Sequence, residues 1–81
     1  MKAFVLIDTE LGQEEQVVKL LKKIDEAVKV YIVYGIHDVI AVLEAESQDM
    51  LKDIIFNKIR VVEQVKKTNT LVTYGEPVIN P

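Results

Sequence analysis

The sequence predicts an α+β domain with elements in the order β-α-β-β-α-β, forming a four-stranded antiparallel sheet with two helices on one face. Three observations predict it. Apolar runs of strand length stand at Ala3–Ile7, Val28–Tyr34 and Val39–Glu46. Two segments between such runs carry apolar residues at helical spacing. The strand runs are also apolar at odd and even positions alike: Ala3, Val5 and Ile7 are opposed by Phe4 and Leu6, and Val39, Ala41 and Leu43 by Ile40 and Val42. A strand with one wet face should alternate apolar and polar residues. Two short helices cover one face of a small sheet and not both. The second face therefore calls for another subunit.

Each element follows from local chemistry. Asp8–Gly12 ends the first strand, with Thr9 or Gly12 the expected helix N-cap. Gln13, Glu14 and Glu15 suit the positive end of a helix dipole. Val17, Leu20, Leu21 and Ile24 then recur at i, i+3, i+4 and i+7, with Lys22 and Lys23 at the C-terminal end. Asp25–Ala27 connects to strand two. Gly35–Asp38 is a hairpin-length loop between strands two and three. Ser47 is the expected cap of helix two, whose buried stripe is Leu51, Ile54, Ile55 and Ile59, with Met50 and Phe56 on the flanks. Strand four runs from about Val65 to Tyr74, and its lysines and threonines suit an edge. Right-handed crossovers give the split β-α-β, ferredoxin-like sheet of order 4-1-3-2. Strands one and three are central, and are expected to run parallel to one another.

Composition narrows the function. The 81 residues make one small domain, with no cysteine for a disulfide or a thiolate metal site. No apolar run approaches the roughly 18–20 residues that span a bilayer, and nothing resembles a secretory signal. A cytoplasmic location is expected. Net charge is −3, and Lys19, Lys22, Lys23 and Lys29 read as a solvated helix side rather than a nucleic-acid face. Direct nucleic-acid or membrane partners are not expected.

Few residues suggest chemistry. His37, the only histidine, lacks a nucleophile or metal-ligand partner at strand or helix spacing, and reads as an exposed turn residue at an oligomer contact. Glu44 and Glu46 share one face of strand three, where acids reach water as the strand leaves the core. Tyr31 and Tyr34 read as interface packing rather than a base-stacking platform. No catalytic residue, metal ligand or cofactor site stands out. The loop Gly35–Asp38 is more informative: glycine frees backbone N–H groups for a carboxylate, and Asp38 can accept from an ammonium group. Together they complement a zwitterion, although Gly and Asp are also ordinary turn residues.

The segment Val30-Tyr31-Ile32-Val33-Tyr34-Gly35-Ile36-His37-Asp38-Val39-Ile40-Ala41-Val42, followed by Lys58-Ile59-Arg60, Val65 and Thr68-Asn69-Thr70, closely resembles the effector-binding half of Lrp/AsnC-type transcription regulators. That half is the RAM module, for regulation of amino acid metabolism. The resemblance runs from Ala3 to about Tyr74, implying a domain over 1–75 and a tail over 76–81. Full-length regulators carry an N-terminal helix-turn-helix domain, whereas here Met1 leads directly into strand one. A stand-alone module without its own DNA-binding domain is therefore expected. The resemblance implies dimers with sheets packed face to face, as a dimeric α+β barrel. It further implies assembly of dimers into a ring, commonly an octamer, with a free amino acid effector held between dimers. Mixing with full-length regulators through the shared sheet interface is a further implied partnership. Carried over by residue, the ligand-binding set is Tyr34, Gly35, Ile36 and Asp38 with Thr68 and Thr70. Backbone N–H groups near Gly35 would hold the carboxylate and Asp38 the α-amino group. The threonine hydroxyls would read the side chain or a bridging water. No role carries over to His37. An ACT-like amino-acid-binding domain, with Gly12 as the key glycine, is the second reading. A dimeric α+β barrel enzyme is the third.

Overall fold

A computed structural model describes residues 1–81. The elements are β1 (Lys2–Thr9), α1 (Glu14–Leu21), β2 (Ala27–Ile32), β3 (Val39–Glu44), α2 (Gln48–Ile54) and β4 (Val65–Val72). A π-helical segment, Ile55–Ile59, continues α2 without a break. The strands form one sheet in the order β2-β3-β1-β4, the expected order read from the other edge. Every neighbouring pair is antiparallel, β1 and β3 included. This corrects the parallel central pair expected above. A right-handed crossover through α1 makes β2 parallel to β1, and the β2–β3 hairpin then reverses the chain, so β3 must oppose β1.

Pairing places Ala3 opposite Leu43, Val5 opposite Ala41 and Ile7 opposite Val39. All six side chains point toward the helices and are fully buried. Val17, Leu21 and Ile24 meet them from the α1 side, and Leu51, Ile54, Ile55 and Ile59 from the α2 side. The second set is the stripe read from spacing. In the first, Leu20 is only half-buried and Val18 packs at the core's margin.

The other sheet face carries no helix. Two rows cross it: Lys29–Val42–Phe4–Leu71 and Tyr31–Ile40–Leu6–Asn69. Their centres are apolar. Opposite charges flank them, with Lys2 opposite Glu44 at one end and Asp8 opposite Lys67 at the other. An apolar patch with a charged rim is the anatomy of a protein–protein interface. Tyr31 and Leu71 are each about half exposed there.

Several ends differ from expectation for local reasons. Neither Thr9 nor Gly12 caps α1: the N-cap is Gln13, which makes no side-chain capping bond. Thr9 still belongs to β1, and Gly12 turns the chain with a φ of +78°. Lys22 is already the C-cap, so Lys23 and Ile24 lie beyond the helix. Strand β2 stops at Ile32, because the Val33 N–H donates to the Asp38 carbonyl at 2.9 Å and closes a longer loop. Ser47 caps α2 as expected, its Oγ accepting from the Met50 N–H at 3.2 Å. Strand β4 ends at Val72, and beyond it the Thr73 N–H donates to the Lys2 carbonyl at 3.0 Å. No helix is long and apolar enough to cross a membrane.

One long-range ion pair supports the α2 side. Lys58 in the π-helical segment reaches Glu26, between α1 and β2, at 3.2 Å. Glu26 titrates below the usual glutamate range because of a backbone hydrogen bond first and the Lys58 ammonium second.

Replacing Ile7 by Ala removes a fully buried side chain from the sheet centre, and should cost about 2–5 kcal/mol in chemical denaturation. Replacing Ile36 by Ala, in the exposed loop, should change stability by less than about 0.5 kcal/mol.

Candidate ligand site

The residues singled out by sequence fall into two groups. The first is the β2–β3 loop, residues 33–38. Its tip projects into solvent, with Tyr34 and Ile36 almost wholly exposed. Gly35 adopts a φ of +122°, a conformation L side chains rarely take, in open space. The base of the loop is fastened to β1. The Asp38 N–H donates to the Ile7 carbonyl at 3.0 Å. Asp38 Oδ2 accepts from the Thr9 N–H at 2.9 Å and lies 3.4 Å from Thr9 Oγ1. His37 turns back to place Nδ1 at 2.9 Å from Asp8 Oδ1. His37 is therefore not the exposed turn residue expected: it is half-buried, and it ties the loop to the C-terminal end of β1.

The second group lies at the opposite edge. Thr68 pairs with Ile7 and Thr70 with Val5, so both threonines face the helix side of the sheet. The helices do not close over this edge strand. They leave a cleft of about 340 Å³ between β4 and the α2 side. Leu51, Ile55 and Val72 give it apolar walls, and the two threonine side chains line it. Lys52, Phe56 and Arg60 line it too. The Arg60 guanidinium sits 5.0 Å from the centroid of the Phe56 ring, a cation–π stack. The π-helical segment sets this geometry: the Arg60 N–H reaches back five residues to the Ile55 carbonyl at 2.8 Å. Such wide turns recur at functional sites.

Helical spacing alone assigns Lys52 to the wet side of the helix and Phe56 to its flank. Lys52, Phe56 and Arg60 recur at i, i+4 and i+8, which gathers them on one helix face. That spacing was the signal available for them.

One chain does not bring the two groups together. Asp38 bonds to the Ile7 carbonyl from one side and Thr68 pairs with Ile7 from the other, so β1 separates them by about 10 Å at ordinary strand spacing, while Tyr34 and Ile36 project into solvent. Gly12, the glycine of the second reading, turns the chain before α1 with open space around it. No group of three or more His, Cys, Asp or Glu side chains stands close enough to hold a metal ion.

A βαββαβ sheet with one helical layer and an edge cleft under its second helix defines a small α+β ligand-binding module. The sequence profile of the Lrp/AsnC ligand-binding domain matches residues 2–81, and the chain belongs to that family. Among solved structures, FFRP-DM1 is 32% identical, with a TM-score of 0.86 over 90% of this chain and 97% of that one. AsnC of E. coli superposes with a TM-score of 0.91 at 21% identity, over 99% of this chain and 54% of AsnC. The regulator NMB0573 of Neisseria meningitidis, solved as an L-Met complex, superposes at 0.84 with 10% identity, over 93% of this chain and 50% of that one. At those identities the last two likenesses concern the fold, and this chain spans about half the length of each. No curated protein matches the sequence.

The loop fastening has a direct consequence. Replacing His37 by Ala frees one of its ties to β1 and should raise amide hydrogen exchange across residues 33–38, leaving β3 amides protected. Replacing Asp38 by Ala removes a charge-assisted bond to a backbone N–H and should cost about 1.5–3 kcal/mol in denaturant titration.

Proposed function

We propose that this protein is an amino-acid sensor: a cytoplasmic, non-enzymatic module that takes a free amino acid between dimers and changes assembly, partner choice or both. One observation carries this reading. The exposed β2–β3 loop and the open cleft beside β4 stay apart within one chain, with β1 between Asp38 and Thr68, so a second subunit can supply the partner each lacks. Family membership supports a ligand role for the fold, and the NMB0573 neighbour was solved with a free amino acid.

In this reading the loop of one dimer meets the cleft of another. Backbone N–H groups near Gly35 hold the carboxylate. Asp38, anchored to Thr9 through Oδ2, keeps Oδ1 free for the α-ammonium group. Thr68 and Thr70 face the side chain. Tyr34 and Ile36, exposed at the loop tip, cover the ligand from the other dimer. The open sheet face forms the dimer, with Phe4, Leu6, Ile40 and Val42 as its centre. Dimers then assemble to a ring, an octamer being the favoured size, and full-length Lrp/AsnC regulators can join through the same sheet face. The chain's net charge of −3 fits a protein that acts through other proteins rather than on nucleic acid.

A ligand that completes a site between dimers stabilises the assembly containing that site. At about 100 times its Kd, it adds about 2.7 kcal/mol of stability. Thermal unfolding and light scattering with each of the twenty amino acids should show at least one that raises both midpoint and mass. Replacing Thr70 by Val should weaken that response about 2- to 10-fold, the worth of one hydrogen bond. Midpoint and mass unmoved by every amino acid would sink the proposal.

A further inference from the structure

The cleft beside β4 has a charge that the chain as a whole does not. Net charge is −3, yet the cleft lining holds Lys52 and Arg60 and no carboxylate. Neither cation is engaged elsewhere in an ion pair. The ion pairs of the chain are Asp8 with His37 and Glu26 with Lys58. Lys58, on the same helical stretch, is paired with Glu26, whereas the two cations at the cleft are not paired. The Arg60 guanidinium carbon lies over the Phe56 ring, 5.0 Å from its centroid, and its side-chain N–H groups make no hydrogen bond within the chain, so they can grip a carboxylate in two-pronged fashion. The Thr68 and Thr70 hydroxyls add neutral donors on the opposite wall.

We infer that the cleft selects ligands bearing an anionic side chain: acidic amino acids, with the side-chain carboxylate on Arg60 and Lys52. The inference rests on the sensor reading for the rest of the ligand, whose α-groups lie on the loop of another dimer. It adds the class of side chain read. Leu51, Ile55 and Val72 supply apolar contact for the methylene carbons, and the cations supply the terminal contact.

The test compares isosteric pairs on the intact protein at low ionic strength. Calorimetry is run with L-glutamate against L-glutamine, L-aspartate against L-asparagine, and with glutarate, a dicarboxylate lacking the ammonium group. A charged member should bind about tenfold more tightly than its amide, the worth of a charge-assisted hydrogen bond. Arg60→Gln should erase that ratio while the amide still binds. Arg60 is exposed, so an unchanged thermal midpoint without ligand will show that the variant folds. Equal or tighter binding of the amides overturns the inference and leaves the sensor reading intact. So does a preference that survives in the Arg60→Gln, Lys52→Gln double variant. Glutarate binding with neither glutamate nor aspartate bound overturns the selection of acidic amino acids and leaves an anion cleft. No binding by any member overturns the inference, whereas the sensor reading falls only if none of the twenty amino acids moves midpoint or mass.

Discussion

A sheet has two faces, and this chain supplies helices for only one. Both helical elements lie over Ala3, Val5, Ile7, Val39, Ala41 and Leu43, and their apolar stripes are consumed there. Phe4, Leu6, Ile40 and Val42 stand behind the same strands with no helix of their own chain to cover them. Val42 is nearly buried, at 5% exposure, and Phe4, Leu6 and Ile40 are partly so. Partial shielding leaves the hydrophobic driving force unspent. A domain this small gains little margin from its core, so pairing through the open face would add stability where it is scarcest.

The same constraint positions the candidate site. Two short helices cannot span four strands, and the strand left uncovered on the α2 side is β4. Thr68 and Thr70 face toward the helix layer yet are not sealed by it. The resulting cleft is open at the edge and bounded by a helix whose last turn is widened. At the other edge, the β2–β3 loop extends past the sheet and is fixed only at its base. The polar groups are therefore peripheral because the core is central and small. Function on such a scaffold lies at its edges and in its neighbours.

Much of the fold was legible because it rests on local periodicity. The stripe Leu51, Ile54, Ile55 and Ile59, the Ser47 cap and the two-sided central strands each follow from spacing and side-chain chemistry within a few residues. The direction of β3 relative to β1 is different in kind. It follows from counting chain reversals through a crossover and a hairpin, not from any residue. The failure of Thr9 as a cap is long-range as well: its pairing with Val65 and its amide bond to Asp38, twenty-nine residues away, hold it in β1. The Asp8–His37 pair spans the same separation, so no local pattern announces it. At the candidate site, Thr68 and Thr70 were legible through family resemblance. Lys52, Phe56 and Arg60 were masked because amphipathic logic assigns a charged helix face to water, and only the edge position of β4 turns that face toward a cleft.

Sedimentation equilibrium of the purified chain at low micromolar concentration tests the unpaired sheet face most directly. Particles of at least twice the 9.2 kDa chain mass are expected, without ligand. A stable, folded species at the single-chain mass would show that the open face tolerates water, and would remove the basis for a site shared between subunits.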